Sequence, residues 1–214
     1  MNQEEIIINT KNFVRMTLEG EGSGHDWWHI YKVWKNAINL NNYEKADSFV
    51  VQLGALLHDI ADWKFHAVDV GPRIAREHLV SLGVKEEVIE HVCEIIKTVS
   101  FKGVGSEKDM ATIEGKIVRD ADRLEALGVI GIARCFVYGG HKGNPIYVPS
   151  LKPRADLKFE EYKKETSQIN HFYEKLLLLK DLMCTETGKK FAQGRHNFIE
   201  AYLKQFFDEW ECKV

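Results

Sequence analysis

Residues 46–59 read ADSFVVQLGALLHD. Ala46, Phe49, Val50, Leu53 and Leu57 recur at steps of three and four, so they form one apolar stripe on a helix. The segment leading to His58 is so apolar that it predicts a helix sunk into a core. A helix that deep then presents an adjacent His58 and Asp59. Burying an ionised carboxylate is expensive unless it is paired or binds a metal. Imidazole beside carboxylate is a mixed nitrogen and oxygen donor pair, which suits borderline and hard divalent cations. A satisfied core histidine next to a locally capping aspartate fits the dipeptide equally well, so His58-Asp59 alone does not decide.

Outward from this stretch the same periodicity repeats. Val88, Val92, Ile95, Ile96 and Val99 form a second stripe, and Ile199, Leu203, Phe206 and Trp210 a third, read as core or dimer surface. The pattern predicts an all-α chain with helices near 3–19, 27–40, 43–60, 71–82, 85–100, 109–121, 122–137, 157–182 and 188–212. Three of the four prolines, Pro145, Pro149 and Pro153, fall with GGHKGNP in the stretch 138–156, which reads as a loop. The expected organisation is one helical domain over 1–214, with a core at about 20–135 and C-terminal helices at about 157–212.

The chain has 214 residues, 44% apolar and 29% charged, with a formal net charge of −3. That length is enough to bury a sizeable core. No basic stripe supports a nucleic-acid partner. The four cysteines, Cys93, Cys135, Cys184 and Cys212, form no C-x-x-C pair and read as thiols in a reducing compartment. The N-terminal residues do not resemble a signal peptide, and no apolar run is long enough to span a bilayer. A cytoplasmic protein is the expectation.

Two further segments carry chemistry. In GHDWWHIYKV, residues 24–33, His25 and His29 are four apart and share a helix face, with Asp26 beside them or acting on the N-terminal dipole. In IVRDADRLEALG, residues 117–128, Asp122 sits between apolar segments and wants a partner; an N-cap or an ion pair with Arg119 competes. Together the three segments supply two histidines and two carboxylates, if the helices fold around one point. Such a set leaves positions on a six-coordinate cation open for water and substrate, which distinguishes a catalytic site from a structural one.

At these residues the sequence resembles the HD-domain superfamily of metal-dependent phosphohydrolases. SGHDWWHI, ALLHDIADWKFH, DADRLEALGVIGIAR and RHNFIEAYLKQFFDEW look like its small bacterial YpgQ-type branch, over roughly residues 10–212. The resemblance implies an all-α HD-domain bundle. It implies one divalent metal on His29, His58, Asp59 and Asp122, and nucleoside triphosphate pyrophosphohydrolase activity. A nucleoside monophosphate phosphatase and a non-catalytic metal- or nucleotide-binding module are the alternatives. Cyclic dinucleotide phosphodiesterases of the superfamily carry HDIGK and a later GYP; HDIAD and no GYP stand here, which argues against that activity. The donor set permits Mn²⁺, Fe²⁺, Co²⁺, Ni²⁺ or Zn²⁺, with Mg²⁺ less natural beside two imidazoles; Mn²⁺ is the expected ion.

Around the ligands, Asp62 is the candidate to orient or deprotonate water, one turn beyond the metal pair if the helix persists. Lys64 and His66 are candidate donors to phosphate, with Lys64 and His25 assigned to catalysis. Asp26, His66, Arg119 and Arg123 are candidate substrate contacts, and Asp120 a candidate to orient a ligand histidine. Trp27, Trp28, Trp63 and Phe65 crowd the motifs; core packing is the reading for most of them, base stacking the alternative. The expected partner is a small nucleotide, with a homodimer left open.

Overall fold

The computed structural model describes residues 1–20, 26–61, 69–99, 110–154 and 166–214. These residues form nine α-helices and no strand, in agreement with the all-α expectation. They are α1 (Gln3–Thr17), α2 (Trp27–Glu44), α3 (Ser48–Leu57), α4 (Val70–Ser81), α5 (Glu86–Val99), α6 (Ile113–Glu125), α7 (Gly128–Lys142), α8 (Gln168–Glu174) and α9 (Glu186–Trp210). A 3₁₀ turn, Leu176–Leu178, follows α8. None of these helices is long and apolar enough to cross a membrane.

The centre of the molecule is α3. Asp47 caps it, accepting from the amides of Phe49 (2.8 Å) and Val50 (3.3 Å). Eight of its ten residues are buried, so it is apolar nearly all round, as a helix enclosed by others must be. It packs against α1, α2, α5 and α6. The approach is close at Gly54: a Cβ there would sit 3.3 Å from Val118 of α6 and 3.5 Å from Ile95 of α5. Each buried leucine of α3 contributes roughly 1.5–3 kcal/mol by leaving water.

The stripe on α5 is buried at Val92, Ile95, Ile96 and Val99, and α5 pairs with α4. Helix α1 seats Val14 in the core and places Thr10 3.1 Å from His78 of α4, whose ring stacks on Phe13.

Several boundaries differ from the sequence expectation. Helix α2 continues to Glu44 and stops where Lys45 takes a left-handed conformation at φ 60°. Helix α3 ends at Leu57, and His58, Asp59 and Ile60 form a turn. Residues 113–125 are one helix, with no break before Asp122. Helix α7 runs on through Gly139-Gly140-His141-Lys142 and ends at Gly143, φ 73°, so the loop begins later than expected. In place of a long helix over 157–182, the described part holds only α8 and the 3₁₀ turn. On α9, Ile199 and Leu203 are buried and Phe206 half-buried, while Trp210 is exposed and packs edge-on to Tyr147. None of the four cysteines is disulfide-bonded.

Candidate metal centre

Three elements bring the site together. Helix α2 starts at Asp26, whose carboxylate caps it by accepting from the amide of His29 at 3.1 Å. The cap sets the register that turns His29 inward beside Ile30 and Val33. The turn after α3 supplies His58 and Asp59, and the middle of α6 supplies Asp122. Asn36 of α2 ties these helices by donating to the carbonyl of Ala121 at 3.4 Å.

His29, His58 and Asp59 each offer one donor atom, all within 4.8 Å of one another. Asp122 Oδ1 lies 3.6 Å from His29 Nε2 and 3.8 Å from His58 Nε2, and Asp59 Oδ2 lies 3.9 Å from His29 Nε2. The two rings meet edge to face with centroids 5.4 Å apart. The histidines and Asp59 are buried; the Asp122 side chain is 30% exposed and forms the open side.

These residues fit a divalent cation. His58 Nδ1 lies 2.8 Å from the carbonyl of Ala55, which only accepts, so Nδ1 is the donor and the lone pair of the neutral ring falls on Nε2. That Nε2 is buried and makes no hydrogen bond among the described residues. It faces a carboxylate oxygen at a distance too long for a hydrogen bond. Acceptors converging on acceptors in a buried site are unfavourable unless a cation stands between them. Ligands bonded at about 2.1 Å lie roughly 3.0–3.5 Å from one another, so the separations of 3.6–3.9 Å would have to shorten by up to about 0.9 Å around an ion.

His25, Asp62, Lys64 and His66, with Trp63 and Phe65, lie outside the described residues. The helical register that placed Asp62 beside the metal pair stops at Leu57. Asp26 is the α2 cap. Arg119 and Arg123, expected at substrate, are buried: Arg119 donates to the carbonyl of Thr98 at 2.7 Å and Arg123 to that of Leu182. Asp120, expected to orient a ligand histidine, instead accepts from the amides of Cys184 (2.7 Å) and Thr185 (2.8 Å) and from the Thr185 hydroxyl (2.8 Å). Burial pushes its carboxyl above the usual range against those donors. Trp27 packs against the core, but Trp28 is 64% exposed.

Two residues beside the centre were not singled out in the sequence. Glu125, one turn after Asp122, is buried with neither carboxylate oxygen hydrogen-bonded among the described residues. Lys32, one turn after His29, is half-buried and is one of the cations facing Glu125. An acid inside the apolar run LEALG was the available signal for Glu125; nothing in the local sequence marks Lys32.

Comparison with known proteins identifies the family. The family model of the HD domain matches residues 27–127, which contain all four ligand candidates. Bacillus subtilis YpgQ is 39% identical over 197 residues, 91% of this chain and 89% of that protein. The crystal structure of an HD-superfamily hydrolase from Bacillus thuringiensis superposes with a TM-score of 0.78 at 42% identity, covering 98% of this chain and 99% of the other. The crystal structure of B. subtilis YpgQ in complex with ADP superposes with a TM-score of 0.76, covering 95% and 97% of the two chains. The chain belongs to the HD-domain superfamily of metal-dependent phosphohydrolases.

Proposed function

We propose that the protein hydrolyses nucleoside triphosphates to nucleoside monophosphate and pyrophosphate, with one Mn²⁺ ion held by His29, His58, Asp59 and Asp122. The observation that carries the reading is the convergence of two imidazole nitrogens and two carboxylates on one buried point that opens at Asp122. The ADP bound to YpgQ supports a nucleotide ligand.

A divalent cation at such a point supplies Lewis acidity, lowering the pKa of a water and polarising a phosphoryl oxygen. The protein's part is positioning. His29 and His58 form the buried floor, with the His58 tautomer fixed by Ala55. Asp122 stands at the open side, where the phosphate chain enters. The water oxygen bonds to the α-phosphorus, the bond to the bridging oxygen breaks, and pyrophosphate departs with that oxygen. In this reading Asp62 takes the water's proton, an assignment carried from the sequence.

The test is a panel of nucleoside mono-, di- and triphosphates with Mn²⁺, reading pyrophosphate against orthophosphate. Pyrophosphate from triphosphates, reduced at least a thousandfold in His58→Ala and Asp122→Asn, is the expected result. Orthophosphate from monophosphates instead would make the protein a nucleotidase. No turnover of any nucleotide would leave a binding module.

A further inference from the structure

The structure places a large aromatic side chain in water on the helix that carries His29. Trp28 directly precedes the ligand candidate His29 and is 64% exposed. Tyr31 meets its ring edge-on, centroids 6.0 Å apart at 80°, and so steadies the indole from one side. Lys32 is four residues after Trp28, so the two share one face of α2 on the same flank of His29.

Charge sets what that face can bind. A dication matched by Asp59 and Asp122 is locally neutral, so the charge of a polyphosphate has to be met by other groups. Lys32, Arg134 and Arg195, on three helices, all act electrostatically on the buried carboxylate of Glu125. Arg195 is engaged with the carbonyl of Leu124 and with Asn36 Oδ1. Lys32 thus stands one helical turn from His29 on the side of α2 that carries Trp28. In a partly desolvated site an ammonium attracts and holds phosphate oxygens.

Resting on the pyrophosphohydrolase reading, we infer that Trp28 and Lys32 form the nucleotide platform of the site, with the base stacked on the Trp28 indole and the phosphate chain held by the Lys32 ammonium. The platform takes a base-bearing polyphosphate in preference to an inorganic one. Stacking uses the π-face that every base has, so the base is required without being read in detail. Glu125 acts as a positioning residue: its buried charge keeps the Lys32 ammonium close to the centre.

The experiment measures binding to the Mn²⁺-loaded protein by calorimetry with two probes. One is the α,β-methylene analogue of ATP, which cannot release pyrophosphate; the other is inorganic tripolyphosphate. Trp28→Ala is expected to weaken the analogue roughly tenfold or more and to leave tripolyphosphate within about twofold. Trp28→Phe is expected to restore most of the loss. Lys32→Met is expected to weaken both probes alike. Loss of both probes in Trp28→Ala, or of neither, overturns the platform, as does Lys32→Met without effect. If wild-type protein binds the analogue with this pattern yet turns over no nucleotide, the platform stands and the hydrolase reading falls. If it hydrolyses triphosphates with Trp28→Ala unaffected, the reverse holds.

Discussion

Behind Asp122, burial pushes the Glu125 carboxyl from an ordinary 4.5 up to about 6, although Arg134, Lys32 and Arg195 draw it down; Asp122 adds repulsion. A native pKa above the unfolded one means that the folded state binds this proton more tightly. Stability from this group is therefore full below about pH 4.5, declines through pH 6 and stays low above it. Glutamine removes the dependence. In metal-free protein, Glu125→Gln is expected to raise the unfolding free energy by about 2 kcal/mol at pH 8 and by little at pH 4, read from urea midpoints. An equal gain at both values would point to packing instead. Of the residues at this scale, His29, His58, Asp59 and Asp122 were visible in the sequence because buried acids and imidazoles next to apolar helix need partners. The bonds of Arg119 and Arg123 were not legible, because their acceptors, the carbonyls of Thr98 and Leu182, come from segments distant in the chain.

Among the helices, the decisive joint is between α6 and the start of α9. Thr185 caps α9 through Gly188, whose amide donates to its hydroxyl at 2.9 Å, while Asp120 holds Cys184 and Thr185 from below. The approach is so tight that a Cβ on Gly188 would collide with the Asp120 carboxylate. Asp120→Ala leaves two amides and a hydroxyl without their acceptor. It is expected to cost about 3 kcal/mol, measured by chemical denaturation, and Gly188→Ala about 1–3 kcal/mol by overpacking. No loss in either variant would mean that α9 is held elsewhere. The apolar stripes made α3, α5 and α9 legible, because period and burial agree there. The unbroken course of α6 was not legible. Arg119, Asp120, Asp122, Arg123 and Glu125 look like a polar break in sequence, yet four of the five are buried inside the helix. Likewise Gly139-Gly140 suggested a loop where backbone hydrogen bonding carries α7 onward to Lys142.

For the whole molecule, the centre joins α2, the turn after α3 and α6, the helices that enclose most of the core. A cation bound there binds the folded chain and not the dispersed ligands of the unfolded one. At a hundred times its dissociation constant it should add about 2.7 kcal/mol, which for a chain of this size raises the melting temperature by roughly 5–10 °C. The rise should appear on adding Mn²⁺ to chelator-treated protein in a calorimetric scan, and vanish in His58→Ala. An unchanged melting temperature in wild type would mean that these ligands are preorganised without holding the ion.

Helix α6 has one further consequence. Within 119–125 it meets the preceding helical layer through Arg119, the C-terminal helix through Asp120, the His29 imidazole through Asp122, the 182 carbonyl through Arg123 and several cations through Glu125. Nearly every direction around its axis is already spoken for. Drift in substrate preference within such a protein has little room to begin on α6, and the outer face of α2, where Trp28 meets water, is the freer ground for it.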